Sequence, residues 1–598
     1  MAVPHPIQSR LKTSLRRIEN YTRGSEKSYL KNLVGVCELV RGELEKDSPY
    51  LPELLEEAQA VLESGVSHAP FKFMPSWAHE KDKYPLIEDP PEQKPVELTD
   101  SQIRMLTLAF PDRFTMSADE LVDEVKEMNS SPWTKKTQRH PKSSPLARFR
   151  PKLPPLTYDS PNAMCVVDAC CEIQSTRTAT PHGLNISRNG SCLALNVATG
   201  SDNRAPGLYY RFLQAESCYH FFQPGLARVA SHIALDDDRR LLFVGDKHRI
   251  KSYAWADPES DDYVFIPNLH PTHTLNSQHA RGPMVALPNG TVIRAGEGEA
   301  SVWNIDALKT HGKTGRNIVG KQDNRIYEHA RRHDKSQIEP STGSSRSSCI
   351  QFGNPSLSVT GWEPLVQAPS TMLSYSGKSD CLTLDLEHGG SIAARYLGHG
   401  GTISDISLSA DAPQKFLTGC NDGYARLFDL RMPFPVLTFD AGQRQEVCAA
   451  VALAHPGGIP IAFTGAKKSE QIKLWDLRAR TIVYELATGN NQVESLVWSS
   501  YGSCLYAATS CQYDERWEYH SIDRQGKRKR SNEDENEYSE DPLNYTFVWP
   551  KEAYHHENYF GYAFHAGEHQ MYCYNFMRDP GPLRFRGMGA LVGSSWGW

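Results

Sequence analysis

The sequence predicts a mainly β protein: a closed ring of seven small antiparallel sheets behind a helical N-terminal region. Three observations predict it. From residue 164 onward, short alternating strands are punctuated by Asn-Gly, Gly-Asp and Asp-Asp turns, the pattern of an all-β array. Between Leu397 and Arg478 one order of segments is written almost twice. One kind of residue pair also recurs along the chain, at Phe212-Leu213, Trp255-Ala256, Trp303-Asn304, Leu384-Asp385, Phe428-Asp429, Trp475-Asp476 and Tyr574-Asn575. Successive pairs lie 43, 48, 81, 44, 47 and 99 residues apart. Four of the six gaps fit the period of a four-stranded blade, and each long gap holds an insertion, at 309–359 and 512–545.

The elements follow in order. Residues 1–131 read as helical. Ile7 to Tyr21 and Tyr29 to Leu44 space their apolar residues at helical period (Leu11, Leu15, Ile18; Leu30, Leu33, Val34), and Pro52 opens a third helix, Glu53 to Leu62. Beyond a proline-rich break, Leu98 to Phe110 and Ser117 to Met128 predict two more helices, the second opened by a capping box. This region reads as a cap on the ring or as an arm for a partner's groove. Residues 132–160 form a basic, proline-rich linker carrying Lys135, Lys136, Arg139, Lys142, Arg148, Arg150 and Lys152, which reads as a solvated hinge or as a bipartite import signal. The ring occupies 161–577. Met164 to Cys170 is a spare strand, expected to complete the last sheet beside Met571 to Phe576 and so tie the two ends of the ring. Arg578-Asp579-Pro580-Gly581-Pro582 stops that sheet, and 578–598 is a tail.

The better copy of the repeated order reads Leu397-Gly398-His399, then Ile403 to Ser409, then Phe416-Leu417-Thr418-Gly419 and the turn Asn421-Asp422-Gly423, then Arg426-Leu427-Phe428-Asp429-Leu430-Arg431. The second has Ala462-Phe463-Thr464-Gly465 and Ile472-Lys473-Leu474-Trp475-Asp476-Leu477-Arg478. Gly-His, a strand, a strand ending in Thr-Gly, an Asp-bearing turn and a closing Trp-Asp is the order of a WD-repeat blade. The chain resembles the WD-repeat family, which implies a seven-bladed β-propeller. The resemblance also implies a buried hydrogen-bond relay, carried here by His399, Thr418 and Asp422 with Phe428 at the Trp position. Phenylalanine has no N–H to donate, so this relay is expected to be one link short.

Composition narrows the class. The chain has 598 residues, 39% hydrophobic and 23% charged, with a net charge of −6 that points to no particular partner. No apolar run reaches the length of a membrane span, and Met1 to Arg10 lacks the apolar stretch of a signal peptide. The 13 cysteines include no Cys-x-x-Cys pair, and Cys192, Cys381 and Cys504 fall in strand-like runs. Buried reduced thiols and an intracellular compartment are therefore expected.

Catalytic signals dissolve on inspection. His399-Gly400-Gly401 resembles a lipase oxyanion segment but has no nucleophile elbow to serve. Gly593-Ser594-Ser595-Trp596-Gly597 spells such an elbow with no helix or histidine after it. Gly312-Lys313-Thr314 lacks the opening glycine of a phosphate loop. His565 and His569 have metal-like spacing, yet they lie in a strand-like stretch without short-spaced cysteines. No enzyme activity, cofactor or metal is expected.

Recognition is the remaining role. Asp429 with Arg431, and Asp476 with Arg478, place an acid and a base two residues apart at the strand ends of consecutive blades, where each guanidinium could fork onto a carboxylate. Trp-Asp-x-Arg behind a helical region resembles the substrate receptors of cullin–RING ubiquitin ligases, which implies docking on an adaptor through Asp429, Arg431, Asp476 and Arg478. The alternative is a nuclear scaffold for chromatin or RNA. Its support is the basic first insertion and Lys527-Arg528-Lys529-Arg530, an import-like cluster followed by acids. Other proteins are the expected partners, in the nucleus or between nucleus and cytoplasm.

Overall fold

The computed structural model describes residues 2–21, 26–70, 139–150, 153, 158–200, 202–214, 218–257, 266, 269–323, 337–441, 446–513, 519–522, 547–555, 557, 559–560 and 563–581. Three helices open the chain: α1 (His5–Glu19), α2 (Glu26–Leu44) and α3 (Leu51–Ser67). They match the first three sequence helices within a few residues. The two expected after residue 98 lie outside the described residues.

The ring is a seven-bladed β-propeller. Blade 1 spans 180–222, blade 2 232–276, blade 3 284–351, blade 4 359–396, blade 5 403–440, blade 6 448–487 and blade 7 491–576. Each holds at least four antiparallel strands, and the first strands of successive blades touch all the way round, with blade 7 meeting blade 1. Alternation along each strand sends side chains into both neighbouring seams. Each of the seven seams is consequently filled by its own apolar cluster. Trp475 and Phe439 fill the seam of blades 5 and 6, Ile472 and Leu505 that of blades 6 and 7. Polar ties cross the seams along the first strands: the Asp405 carboxylate accepts from Val451 N–H at 2.9 Å, and Ser407 Oγ accepts from Leu453 N–H at 2.9 Å. Gly423, at φ +88°, makes the left-handed turn expected of Asp422-Gly423.

The two ends of the ring are joined, but by a different segment from the one expected. Met164 to Cys170 is not a strand. Helix α4 (Pro161–Val167) and its terminal turn occupy it, because Pro161 starts a helix readily and the run Ala163 to Val167 can bury one side. The closing strand is Cys171–Arg177, paired along its whole length with Gln570–Phe576.

The basic linker is also corrected. The segment 139–150 forms a strap across the ring, and within it Ala147–Phe149 adds a fifth, outermost strand to blade 6, opposite Leu486 to Tyr484. Phe149 packs edge-on against Tyr484, while the Arg148 guanidinium lies 3.9 Å over the Tyr559 ring. Arg150 donates to Thr481 Oγ1 at 2.7 Å, and Arg139 pairs with Asp168 at 2.9 Å. Arg148 and Arg150 are tied down because blade 6 has an open edge that an extended segment can pair.

Both insertions are partly built into the ring. The first ends before Ser348–Gln351, the fourth strand of blade 3, and its residues 337–344 run against blade 2. The second extends to residue 569, past the expected end at 545. It contributes the hairpin Tyr519–Ile522 with Phe547–Pro550, whose Trp549 packs with Tyr513 and Ala553. Helices α1 to α3 share a core with Leu397 and Phe434 at the edge of blades 4 and 5. Arg395 on blade 4 reaches Gln59 Oε1 at 2.7 Å and Glu56 at 3.4 Å, and Arg41 covers the Phe434 ring. Among the described residues no helix is long and apolar enough to cross a membrane.

Candidate functional site

Blades 5 and 6 carry the residues singled out by sequence, and each blade holds half of the relay. In blade 5, His399 Nε2 stands 3.0 Å from Thr418 Oγ1, both buried. The imidazole stacks on Phe428, which in turn stacks on Phe416. In blade 6 the other link is made: Trp475 Nε1–H donates to Thr464 Oγ1 at 2.9 Å. Burial first, and the Arg426 charge second, push the His399 pKa down to about 3, so the ring is neutral.

Asp422 does not join His399, contrary to expectation. Its carboxylate takes the Arg426 guanidinium in a fork at 3.1 and 2.6 Å, and also accepts from Gly400 N–H at 2.7 Å and Tyr424 N–H at 3.0 Å. A buried guanidinium four residues away demands a carboxylate more strongly than a neutral imidazole does.

That guanidinium belongs to a series sequence reading missed. In three blades the residue after the glycine-paired position of the third strand is a buried cation: Lys251 after Ile250 (opposite Gly245), Arg426 after Ala425 (opposite Gly419) and Lys473 after Ile472 (opposite Gly465). A signal was available: each precedes an aromatic by two residues (Tyr253, Phe428, Trp475). The register also makes Tyr253, rather than Trp255, the blade 2 counterpart of Phe428. Lys251 is answered by Glu339 from the first insertion and by Thr274 Oγ1 at 3.3 Å. Burial, then Arg249, lowers its pKa to about 8.

The two rim arginines face outward while Asp429 and Asp476 are buried, and all four have partners within the chain. Arg431 forks onto Asp429 at 2.8 and 2.6 Å; its side chain is 73% exposed and that of Asp429 10%. This pairing holds the Asp429 carboxyl below the usual carboxylate range. Asp476 accepts from Tyr158 OH at 2.5 Å. Arg478, 45% exposed, lies 4.0 Å from the same carboxylate with its guanidinium 5.1 Å over the Tyr158 ring. Each arginine has settled on the nearest carboxylate, two residues back on its own strand end.

His569 accepts from Cys511 N–H at 3.1 Å, and His565 Nδ1 stands 3.3 Å from Asn490 Nδ2. Both tie blade 7 together. No group of three His, Cys, Asp or Glu among the described residues is placed to hold a metal ion. Lys527 to Arg530 lie outside the described residues.

The chain is thus a seven-bladed propeller, the architecture that its WD-repeat resemblance implies. A solved structure titled "Crystal structure of WD40 beta propeller domain of Doa1" is similar, at TM-score 0.37 and 13% identity over 58% of this chain and 99% of that one. No family model matches the chain, and no curated protein does.

Proposed function

We propose that the protein is a non-catalytic scaffold that holds other proteins on the loops of its propeller. The observation that carries this reading is the bracing of the ring. Its ends are joined by Cys171–Arg177, and helices, strap and insertions reinforce its edge. The product is a rigid disc whose faces are loops, the parts of such folds that bind. Affinity purification of the intact chain tests it. Stable co-purifying proteins are expected; an empty eluate, or turnover of a substrate by the pure protein, would overturn the reading.

A finer form is a substrate receptor docking on the adaptor of a cullin–RING ubiquitin ligase. Exposed Arg431 and Arg478 on consecutive blades favour it, each exchanging its own aspartate for a carboxylate of the adaptor. Adaptor capture should be lost in an Arg431→Ala/Arg478→Ala double variant, and full retention would end the idea. The nuclear-scaffold alternative has a separate support: Lys309, Lys313, Arg316 and Lys321 all point outward from one insertion. It expects salt-dependent RNA or DNA binding that weakens when the four become glutamine, with import lost on neutralising Lys527 to Arg530.

A further inference from the structure

The turn that ends α4 is a Schellman motif, and both of its contacting positions are cysteines. Cys170 N–H bonds to Cys165 O at 2.8 Å and Ala169 N–H to Val166 O at 3.1 Å, with Ala169 left-handed at φ 49°. This six-to-one closure brings the side chains of its first and last residues together, ordinarily as an apolar pair. Here they are two free thiols, 8% and 4% exposed. A second observation points to chemistry: His140, an exposed residue on the strap, has an unprotonated Nδ1 that accepts from Lys142 N–H at 3.1 Å. The same nitrogen stands 3.5 Å from Cys170 Sγ, whose thiol also lies 3.8 Å from Asp168 O.

We infer that Cys165 and Cys170 form an oxidisable dithiol, with His140 taking the Cys170 proton, and that peroxide converts the pair to a disulfide. The Cys170 thiolate attacks one peroxide oxygen, giving a sulfenic acid and water. The Cys165 sulfur then displaces that hydroxyl from Cys170 as a second water. Two thiols and one peroxide become one disulfide and two waters, so atoms and electrons balance. Burial and the nearby Asp168 carboxylate push the Cys170 thiol up to about 11 and raise Cys165 as well, so both stay protonated at rest and the reaction is slow. The location gives it consequence. Ser144 N–H donates to Ala169 O at 2.9 Å, Ser143 Oγ–H to Asp168 O at 2.5 Å, and the closing strand starts at Cys171. The staple would fix the joint between strap and ring closure.

The test is peroxide treatment of the full chain, blocking of free thiols, and peptide mass spectrometry. The expected product is the peptide holding both cysteines, two hydrogens lighter, with fragments locating the bond between Cys165 and Cys170. In Cys165→Ala, Cys170 should instead be trapped as a dimedone-reactive sulfenic acid. His140→Ala should slow wild-type oxidation roughly tenfold while leaving the fold unchanged by circular dichroism. Quantitative blocking of both thiols after oxidation, or a bond from Cys170 to any other cysteine, would overturn the proposal. Because the wild-type map needs no variant, a variant that fails to fold leaves the test intact.

Discussion

His399, His273, His555 and His565 show what burial does to a titratable residue when it outweighs any nearby acid. All four are buried, and burial pushes their pKa values down to about 3, 4, 3 and 4. An unfolded histidine titrates near 6.5, so between that value and the folded pKa the unfolded chain holds more protons. Stability from these residues is full above about pH 6.5 and falls as pH drops, by up to about 1.4 kcal/mol per unit for each. Half-buried Asp405, raised to about 7 by burial, and buried Glu446, raised for the same reason, work in the opposite sense. Exposed Glu363 is raised too but is screened by solvent. Four histidines outweigh them. Denaturant midpoints should fall steeply from pH 7 to 4.5, and a His399→Gln/His555→Gln variant should flatten that slope; an unchanged slope would place the acid sensitivity elsewhere. Lys251 and Glu339 give a second residue-scale outcome. Glu339→Gln leaves a buried ammonium without its counter-charge and should cost about 3–5 kcal/mol, whereas Lys251→Met/Glu339→Leu should come within about 1 kcal/mol of wild type. Equal losses in the single and double variants would show that the pair is not coupled.

At the scale of elements, the strap's strand Ala147–Phe149 is the test case. Phe149 is 1% exposed in the seam of blades 6 and 7. Phe149→Ala should cost about 3–5 kcal/mol by transfer and cavity, and should free the outer edge of blade 6 to hydrogen exchange at Ile482 to Leu486. Exchange confined to residues 147–149 would show that the strap merely rests there. The same elements show where sequence reading succeeded and failed. Blade strands were legible because Ile403, Phe416 and Trp475 sit at period two between turn residues, and α1 to α3 because their apolar spacing is helical. Met164 to Cys170 was not, since a short, mostly apolar run broken only by Asp168 suits a strand or a short helix equally until Pro161 decides it. Nor was the strap: three residues amid lysines and arginines carry no periodicity, and only an open edge hundreds of residues away makes them a strand. In the relay, the His399–Thr418 link followed from position. The diversion of Asp422 to Arg426 depended on burial of a guanidinium, which sequence alone does not rank.

For the whole molecule, the decisive contact joins residues about 400 apart in sequence, Cys171–Arg177 with Gln570–Phe576. Each blade buries its faces only against neighbours, so a ring with one seam missing has two open faces and loses more than one blade's worth of burial. Cooperativity follows from closure. Ile173, fully buried opposite Tyr574, lies at the centre of that contact. Ile173→Asp puts an unpaired carboxylate in the seam of blades 6 and 7 and should cost about 3–5 kcal/mol. If closure unites the ring, melting stays a single transition at lower temperature, and hydrogen exchange quickens in blade 3, on the far side, along with blade 7. If blade 3 keeps its protection while blade 7 loses it, the blades fold as neighbours in a row, and the joining of the ends only caps them.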